Sequence, residues 1–177
     1  MATLSLYDAS IGVCNNALQT LLDLLEKAKK HPEAETLAAT RLIDDMLPFS
    51  FQIIVVTNFS KKYVERLTGR ELEVWEDNET TLDQLAARVQ KTIDLLKTVS
   101  REEVDGFDKK TVSLKVGPYD PVDASVQHYV LNYSMPNIMF HLSIAYGLLR
   151  MKGIELGKKD LLNHFMADWF KPTLPSQ

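Results

Sequence analysis

Apolar residues recur at alternating steps of four and three positions from Tyr7 to Ala28. The stripe consists of Tyr7, Ile11, Cys14, Leu18, Leu21, Leu25 and Ala28. This period is that of an α-helix with one buried face, so other elements of the chain have to cover that face. The helix is predicted to end at His31, because a residue that precedes a proline disfavours the α conformation.

Two further amphipathic segments follow. A second helix is predicted from Glu33 to Leu67, with a kink or a split just before Pro48, because proline lacks a backbone donor and clashes with the preceding turn. Gly69 is the expected C-cap of this helix. A third helix is predicted to begin at the capping box Thr81–Gln84 and to fade near Ser100.

The helical period disappears between Arg101 and Pro121. Residues 111–116 alternate with a period of two instead, which predicts a short extended segment. A helix is predicted from about Val122 to Ser134, and Pro136 either interrupts it or begins a new helix that ends near Met151. An extra C-terminal helix is expected from about Lys159 to Trp169.

These elements predict an all-α fold in one domain over residues 1–177. Four long amphipathic segments with short connections are typical of a four-helix bundle. The short extended segment near residues 111–116 and the extra C-terminal helix are additions to that bundle. The C-terminal helix is expected to cap one end or to support a dimer contact through Phe165, Met166, Trp169 and Phe170.

Charge and cysteine content exclude several classes of function. The net charge of −4 provides no basic surface for nucleic acid, so no nucleic-acid partner is expected. No stretch approaches the length of a membrane span, and the first ten residues do not resemble a signal peptide. The single cysteine, Cys14, cannot form an intramolecular disulfide, which favours a reducing compartment. We therefore expect a cytoplasmic protein without a membrane partner.

The familiar catalytic motifs are missing from the sequence. It contains no glycine-rich phosphate loop, no nucleophile elbow, no HExxH and no CxxC. The four histidines are His31, His128, His141 and His164, and none lies three or four positions from another, as a helical metal site favours. What remains is a set of polar residues within apolar stripes.

Two such groups suggest a pocket. Tyr133, Asn137 and His141 are four positions apart and share one face if the helix continues through Pro136. Asp45 and Gln52 are seven positions apart on the predicted second helix and flank its proline. If these residues face each other across the bundle, they form a polar pocket in an apolar interior that can orient an unknown small molecule.

A structural interpretation of each residue stays open beside the functional one. A single histidine on an apolar helix is more often a core residue with its own hydrogen-bond partner. Asp45 can be a solvated neighbour of Asp44. Cys14 lies in the first apolar stripe without an adjacent base, so we interpret it as a packed thiol.

Several stretches also resemble a known family. They are Leu6–Ser10, Asp45–Pro48, Gln52, Lys61, Arg66–Gly69, Asp77–Thr81, Leu85–Arg88, Pro136–His141, Ala145–Tyr146, Leu149–Arg150, Gly153 and Leu156–Asp160. With these stretches the chain resembles an uncharacterised domain-of-unknown-function family, with bacterial and fungal members, in the DinB/YfiT-like superfamily of proposed metalloenzymes. The resemblance extends over nearly the whole chain, to about residue 162.

The resemblance implies a DinB-like up-down-up-down bundle that is often a homodimer. It also implies a divalent ion held by three histidines, one from the second helix and two from the fourth. In this sequence only His141 lies near such a position, and Gln52 lies where a ligand from the second helix would be sought. One imidazole and an amide make a poor metal site, so neither a metal ligand nor a cofactor is predicted.

Three hypotheses follow, and they do not decide whether the protein is an enzyme. In the first, the bundle holds a small-molecule pocket in which His141 is a metal-independent general acid or base oriented by Asn137 or Tyr133. In the second, the protein is a degenerate DinB-like enzyme that keeps weak divalent-metal binding through His141. In the third, it is a non-enzymatic dimeric scaffold paired through its C-terminal helix.

Overall fold

Helices dominate the structure, a computed structural model that describes residues 4–107 and 111–167. In chain order the elements are α1 (Val13–Ala28), α2 (Ala34–Leu37), α3 (Phe49–Thr68), α4 (Leu82–Lys97), α5 (Arg101–Asp105), β1 (Thr111–Leu114), β2 (Val122–Ser125), α6 (Val126–His128), α7 (Met135–Met151) and α8 (Lys158–Met166). A π-helical turn, Asp8–Gly12, leads into α1, and a second, Tyr129–Ser134, joins α6 to α7.

Four long helices form the bundle that the sequence predicts. Helix α1 packs against α4 and α7, and α3 packs against the same two helices, so that α1 and α3 lie at opposite corners. The predicted stripes are buried: Leu18 and Leu21 of α1 and Leu85 and Val89 of α4 are all inaccessible to solvent. The prediction of an all-α four-helix bundle is confirmed. Each helix in the described ranges is too short or too polar to cross a membrane.

The predicted second helix is split rather than merely kinked. After α2 the chain is non-helical over residues 39–48, and Pro48 is the N-cap of α3 with an extended ψ of 172°. The non-helical segment folds back over the start of α3. The carbonyl oxygen of Thr40 accepts a hydrogen bond from the Phe49 amide at 2.8 Å, and that of Ala38 accepts one from the Ser50 amide at 3.0 Å. Backbone carbonyls therefore satisfy amides that a side-chain cap would otherwise serve.

The end of α3 and the start of α4 follow their sequence signals. Gly69 caps α3 in the left-handed conformation at φ 76°, and its amide donates to the Glu65 carbonyl. Thr81 and Gln84 form both hydrogen bonds of the capping box. These two ends define the long connection that carries Trp75 and the neighbouring acidic residues.

The segment before the last bundle helix differs from its prediction in one respect. Strand β1 occupies the first part of the predicted extended segment and pairs antiparallel with β2, from Thr111 opposite Ser125 to Leu114 opposite Val122. The prediction of a helix from about Val122 is therefore wrong, because these residues complete a ladder that the isolated segment cannot reveal. The helix begins at Val126, where the Ser125 hydroxyl accepts a hydrogen bond from the His128 amide.

Helical structure then runs without a break from α6 to the end of α7. Pro136 is the second residue of α7, just beyond the π-helical turn Tyr129–Ser134. In that turn the usual pattern of hydrogen bonds four residues apart is already interrupted. The stop signal at the end of α7 is also observed, since Gly153 adopts a φ of 86° and the Arg150 side chain donates to the Ile154 carbonyl.

The extra C-terminal helix, α8, packs against α1. Its Asp160 carboxylate pairs with Lys27 at 2.7 Å, and its His164 contacts Asp23 at 2.8 Å. The predicted end of this helix at Trp169 lies outside the described residues, as does Phe170. The dimer contact expected at this helix therefore stays a prediction.

Candidate functional site

The break before α3 positions Gln52. This residue lies in the first turn of α3 and is 3% exposed. Its side chain folds back toward the break, where the amide nitrogen Nε2 donates to the Leu47 carbonyl at 2.9 Å and to the Pro48 carbonyl at 3.3 Å. Both amide hydrogens are therefore used, and the oxygen Oε1 points the other way.

That oxygen contacts His141 in the middle of α7. The distance from Gln52 Oε1 to His141 Nδ1 is 2.7 Å, which joins the two helices across their packed faces. An amide oxygen can only accept a hydrogen bond, so Nδ1 carries the proton. In a neutral imidazole the second nitrogen, Nε2, is then unprotonated and keeps a lone pair. The Gln52 amide thus selects the tautomer of His141.

The surroundings of His141 keep the ring neutral. The imidazole is half-buried, and burial lowers the pKa of His141 below its usual value, because an imidazolium loses hydration there. Two aromatic rings pack against it in near-perpendicular orientation, Phe140 at 5.1 Å and Phe51 at 6.0 Å between centroids. No residue within the described ranges forms a hydrogen bond with Nε2. The site is therefore an oriented neutral base with apolar sides.

The other residues predicted on α7 share this face but do not contact the imidazole by a hydrogen bond. Asn137 donates from Nδ2 to the Tyr133 carbonyl at 2.6 Å, within its own helix. The Tyr133 ring packs against Phe59 at 5.7 Å. The expectation that Asn137 or Tyr133 orients His141 is therefore wrong, and Gln52 has that role.

Asp45 does not lie on a helix face with Gln52. The prediction placed both on one continuous helix, but Asp45 is in the non-helical segment before α3 and is exposed. A separation of seven residues places two side chains on one face only within a continuous helix, and residues 45–52 do not form one. The structure brings together Gln52 and His141. Asn137 bonds within its own helix, Tyr133 packs against Phe59 of α3, and Asp45 lies outside this group.

Four surface cavities of about 430 to 630 Å³ lie elsewhere on the molecule, and His141 lines none of these four. None of these four cavities therefore serves as a binding site beside His141.

The residues present do not fit the divalent metal that the resemblance implies. Within residues 4–107 and 111–167, no group of three or more His, Cys, Asp or Glu side chains lies close enough to hold an ion. At His141 a single ring nitrogen is free to bind, and the Gln52 oxygen is already an acceptor for Nδ1. A catalytic zinc-type site requires three protein ligands, so no step of the chemistry is assigned to a metal.

An extensive polar network that was not predicted from the sequence centres on Arg88 of α4. Arg88 is 4% exposed, and all five of its N–H groups have acceptors. These acceptors are Thr57 Oγ1, the Glu76 carbonyl, Glu79 Oε1, Asn58 Oδ1 and Asp77 Oδ1, at 2.7 to 2.8 Å. A charged residue among the buried positions of an amphipathic helix was the available signal. No donor of Arg88 is left for a ligand. The network instead attaches the connection between α3 and α4, which carries Trp75, to both of these helices.

A second missed group lies inside the bundle. Tyr63 of α3 and Tyr129 and Ser134 of the π-helical turn are all buried. Burial raises the pKa of both phenols, so both remain protonated at neutral pH. Cys14 is buried beside them, and burial raises the pKa of its thiol to about 12, as expected of a packed thiol rather than a nucleophile.

Comparisons with known proteins agree with this fold. Over residues 6–162 the sequence matches the family model described as a domain of unknown function (DUF1993). The chain is also similar to the crystal structure of a DinB family member protein from Shewanella denitrificans, with a TM-score of 0.79 and 26% sequence identity. That similarity covers 97% of this chain and 94% of the other. No curated protein matches the chain.

Proposed function

The chain belongs to the family described as a domain of unknown function (DUF1993), and from this premise we propose that it binds a small molecule at His141. The neutral imidazole accepts a hydrogen bond, or a proton, from that molecule at Nε2. The observation that carries the proposal is the hydrogen bond between Gln52 Oε1 and His141 Nδ1. Because Gln52 Nε2 already donates to the Leu47 carbonyl, Oε1 faces the imidazole, and only the tautomer protonated at Nδ1 can donate to it.

The chemistry of the surroundings defines the class of ligand. The neighbouring rings of Phe51 and Phe140 favour a ligand with an apolar body, and the Nε2 lone pair favours a hydroxyl or another acidic hydrogen on that ligand. Because the pKa of His141 is lowered, Nε2 is unprotonated at neutral pH. It can therefore act as a general base that takes a proton from a weakly acidic group of the ligand. If the protein is an enzyme, this proton transfer is its metal-independent step, and Gln52 acts as a positioning residue.

Phenol is a suitable probe because it combines one hydroxyl donor with an apolar ring. In protein labelled with ¹⁵N at histidine, we expect His141 to be protonated at Nδ1, and phenol to shift its Nε2 resonance in a saturable manner. Phenol binding should be lost in His141→Asn. In that variant the asparagine amide can still donate to Gln52, but Nε2 is absent.

His31, His128 and His164 serve as internal controls in the same spectra. A His141 resonance that shifts no more than these three would overturn the proposal, as would an Nε2-protonated tautomer. Gln52→Ala leaves the imidazole in place without its partner. We expect this variant to contain both tautomers and to bind phenol more weakly than the parent protein does.

A further inference from the structure

Buried hydroxyl groups in the bundle helices follow one rule. Most of them donate to a backbone carbonyl three or four positions earlier in the same helix, at 2.6 to 2.9 Å. These residues are Ser10, Thr57, Ser60 and Thr92. This back-bonding satisfies a buried hydroxyl without any help from a neighbouring element. Thr20 of α1 instead donates to the Leu161 carbonyl of α8 at 3.4 Å, and Ser134, in the π-helical turn Tyr129–Ser134, uses neither kind of carbonyl partner.

The carbonyl four positions before Ser134 is already used twice. This Val130 carbonyl accepts a hydrogen bond from the Tyr63 hydroxyl of α3 at 3.1 Å and another from the Met135 amide, so both of its lone pairs are occupied. Ser134 Oγ is buried, and it meets the geometry of a hydrogen bond with no described residue. The same holds for the hydroxyl of Tyr129, which is also fully buried. Two polar oxygens in the core are thus left without a well-aligned hydrogen bond, although Ser134 and Arg66 lie near the Tyr129 phenol.

These oxygens are close to each other and to Tyr63. The rings of Tyr63 and Tyr129 meet edge to face, with centroids 5.5 Å apart. The Ser134 hydroxyl is near enough to both phenols to oppose the effect of burial on the pKa of each. A buried hydroxyl without a partner costs free energy, so the two unpaired hydroxyls of Tyr129 and Ser134, close to the Tyr63 oxygen, indicate a shared polar partner.

We propose that Tyr63, Tyr129 and Ser134 form a binding site for one internal water molecule beneath the π-helical turn. Internal waters usually make about three hydrogen bonds. Here the water bonds to the two unpaired hydroxyls of Tyr129 and Ser134, and it donates to the Tyr63 oxygen, whose own hydrogen is used by the Val130 carbonyl. A cation does not suit the site, because the Arg66 guanidinium lies over the Tyr129 ring at 4.9 Å. The water completes the hydrogen bonding of the π-helical turn Tyr129–Ser134. This turn allows the helix to continue through Pro136.

Equilibrium unfolding of Tyr129→Phe, Ser134→Ala and the double variant tests the site. If both hydroxyls bind water, each single change lowers the ratio of folded to unfolded protein by about fivefold or more. In the double variant this ratio should fall by much less than the product of the two single fold-changes, because both changes remove the same water. Single variants as stable as the parent, or more stable, would overturn the proposal, because deleting an unpaired hydroxyl from a dry core removes a penalty.

Matched controls are available nearby. Ser60→Ala removes a buried hydroxyl that has its own carbonyl partner, and Tyr133→Phe removes a phenol that is only half-buried. Neither control should show coupling with Tyr129→Phe. A crystal structure of the unmodified protein at atomic resolution gives the direct result. Electron density within hydrogen-bond distance of all three hydroxyls supports the site, and a dry cluster overturns it.

Discussion

Replacement of Arg88 by methionine is expected to destabilise the protein by about 3 to 5 kcal/mol, the range for removing one partner of a buried ion pair. Methionine keeps much of the apolar volume of the arginine stem but provides none of the five donors. The loss would be a large part of the stability of a typical domain, which is about 5 to 15 kcal/mol.

The structure indicates where this cost arises. Asp77 is 51% exposed at its side chain, so its carboxylate regains water when Arg88 is removed and contributes little. Glu79 is only 15% exposed at its side chain, and its Oε2 atom already has no hydrogen-bond partner among the described residues. Without Arg88 this carboxylate remains as an uncompensated charge, and the Thr57 and Asn58 oxygens lose their donor. The buried half of the network therefore accounts for most of the loss.

Thermal unfolding followed by circular dichroism measures the effect. For a chain of this size a loss of about 3 to 5 kcal/mol lowers the Tm by about 6 to 20 °C. Lys91→Met is the matched control, because the ion pair of Lys91 with Glu73 is exposed on both sides and its removal should change stability by no more than about 1 kcal/mol.

A second substitution tests the assigned cause. Glu79→Gln in the Arg88→Met background removes the uncompensated charge and should recover part of the loss. A Tm of Arg88→Met within about 2 °C of the parent, less than a loss of 1 kcal/mol would produce, would refute the reasoning. The charge on Glu79 would be excluded as the main cause if the double variant were no more stable than Arg88→Met.

Three further predictions concern the groups whose pKa is shifted. The pKa of His141 is lower in the folded than in the unfolded protein, so the unfolded state binds more protons near and below pH 6.5. Stability should therefore fall as the pH drops below about 6.5, and His141→Asn should flatten this dependence in urea unfolding measured from pH 7.5 to 5.5. Gln52→Glu places a carboxylate against Nδ1, and NMR titration should report a pKa of His141 higher by about 1 to 3 units. Cys14, with its thiol pKa raised to about 12, should react with a disulfide reagent only at the rate of unfolding, and labelling at the rate of a free thiol would contradict its burial.

The contrast between two prolines explains what the sequence could predict and what it could not. Pro48 falls inside the predicted second helix, and Pro136 is predicted either to interrupt a helix or to begin a new one. Local rules allow a broken or a continuous helix at each position. Pro48 separates two helices because the carbonyls of Ala38 and Thr40 fold back to cap α3. The helix continues through Pro136 because a π-helical turn precedes it. Tyr63, which is distant in sequence, donates a hydrogen bond to a carbonyl of that turn. Contacts between distant residues decide both outcomes, and helical periodicity carries no information about them.

The same limit applies to the candidate site. Polar residues within apolar stripes identified Gln52 and His141, because such residues are rare on buried helix faces and need partners. The spacing of Asp45 and Gln52 was misleading, since a helical period is meaningful only where the helix exists. Strand β2 was missed for a similar reason, because its partner β1 is provided by another segment.

The break before α3 is also what orients the imidazole of the proposed site. In a helix that continued through residues 47 and 48, the Leu47 carbonyl would accept the amide of residue 51 and would not need a side chain. Because α3 begins at Phe49, the Leu47 carbonyl is available to the Gln52 amide. That bond turns Oε1 toward His141 and leaves Nε2 unprotonated. A substitution that made the helix continuous across residues 47 and 48 would therefore change the tautomer of His141 on α7, although the substituted residue would not contact His141.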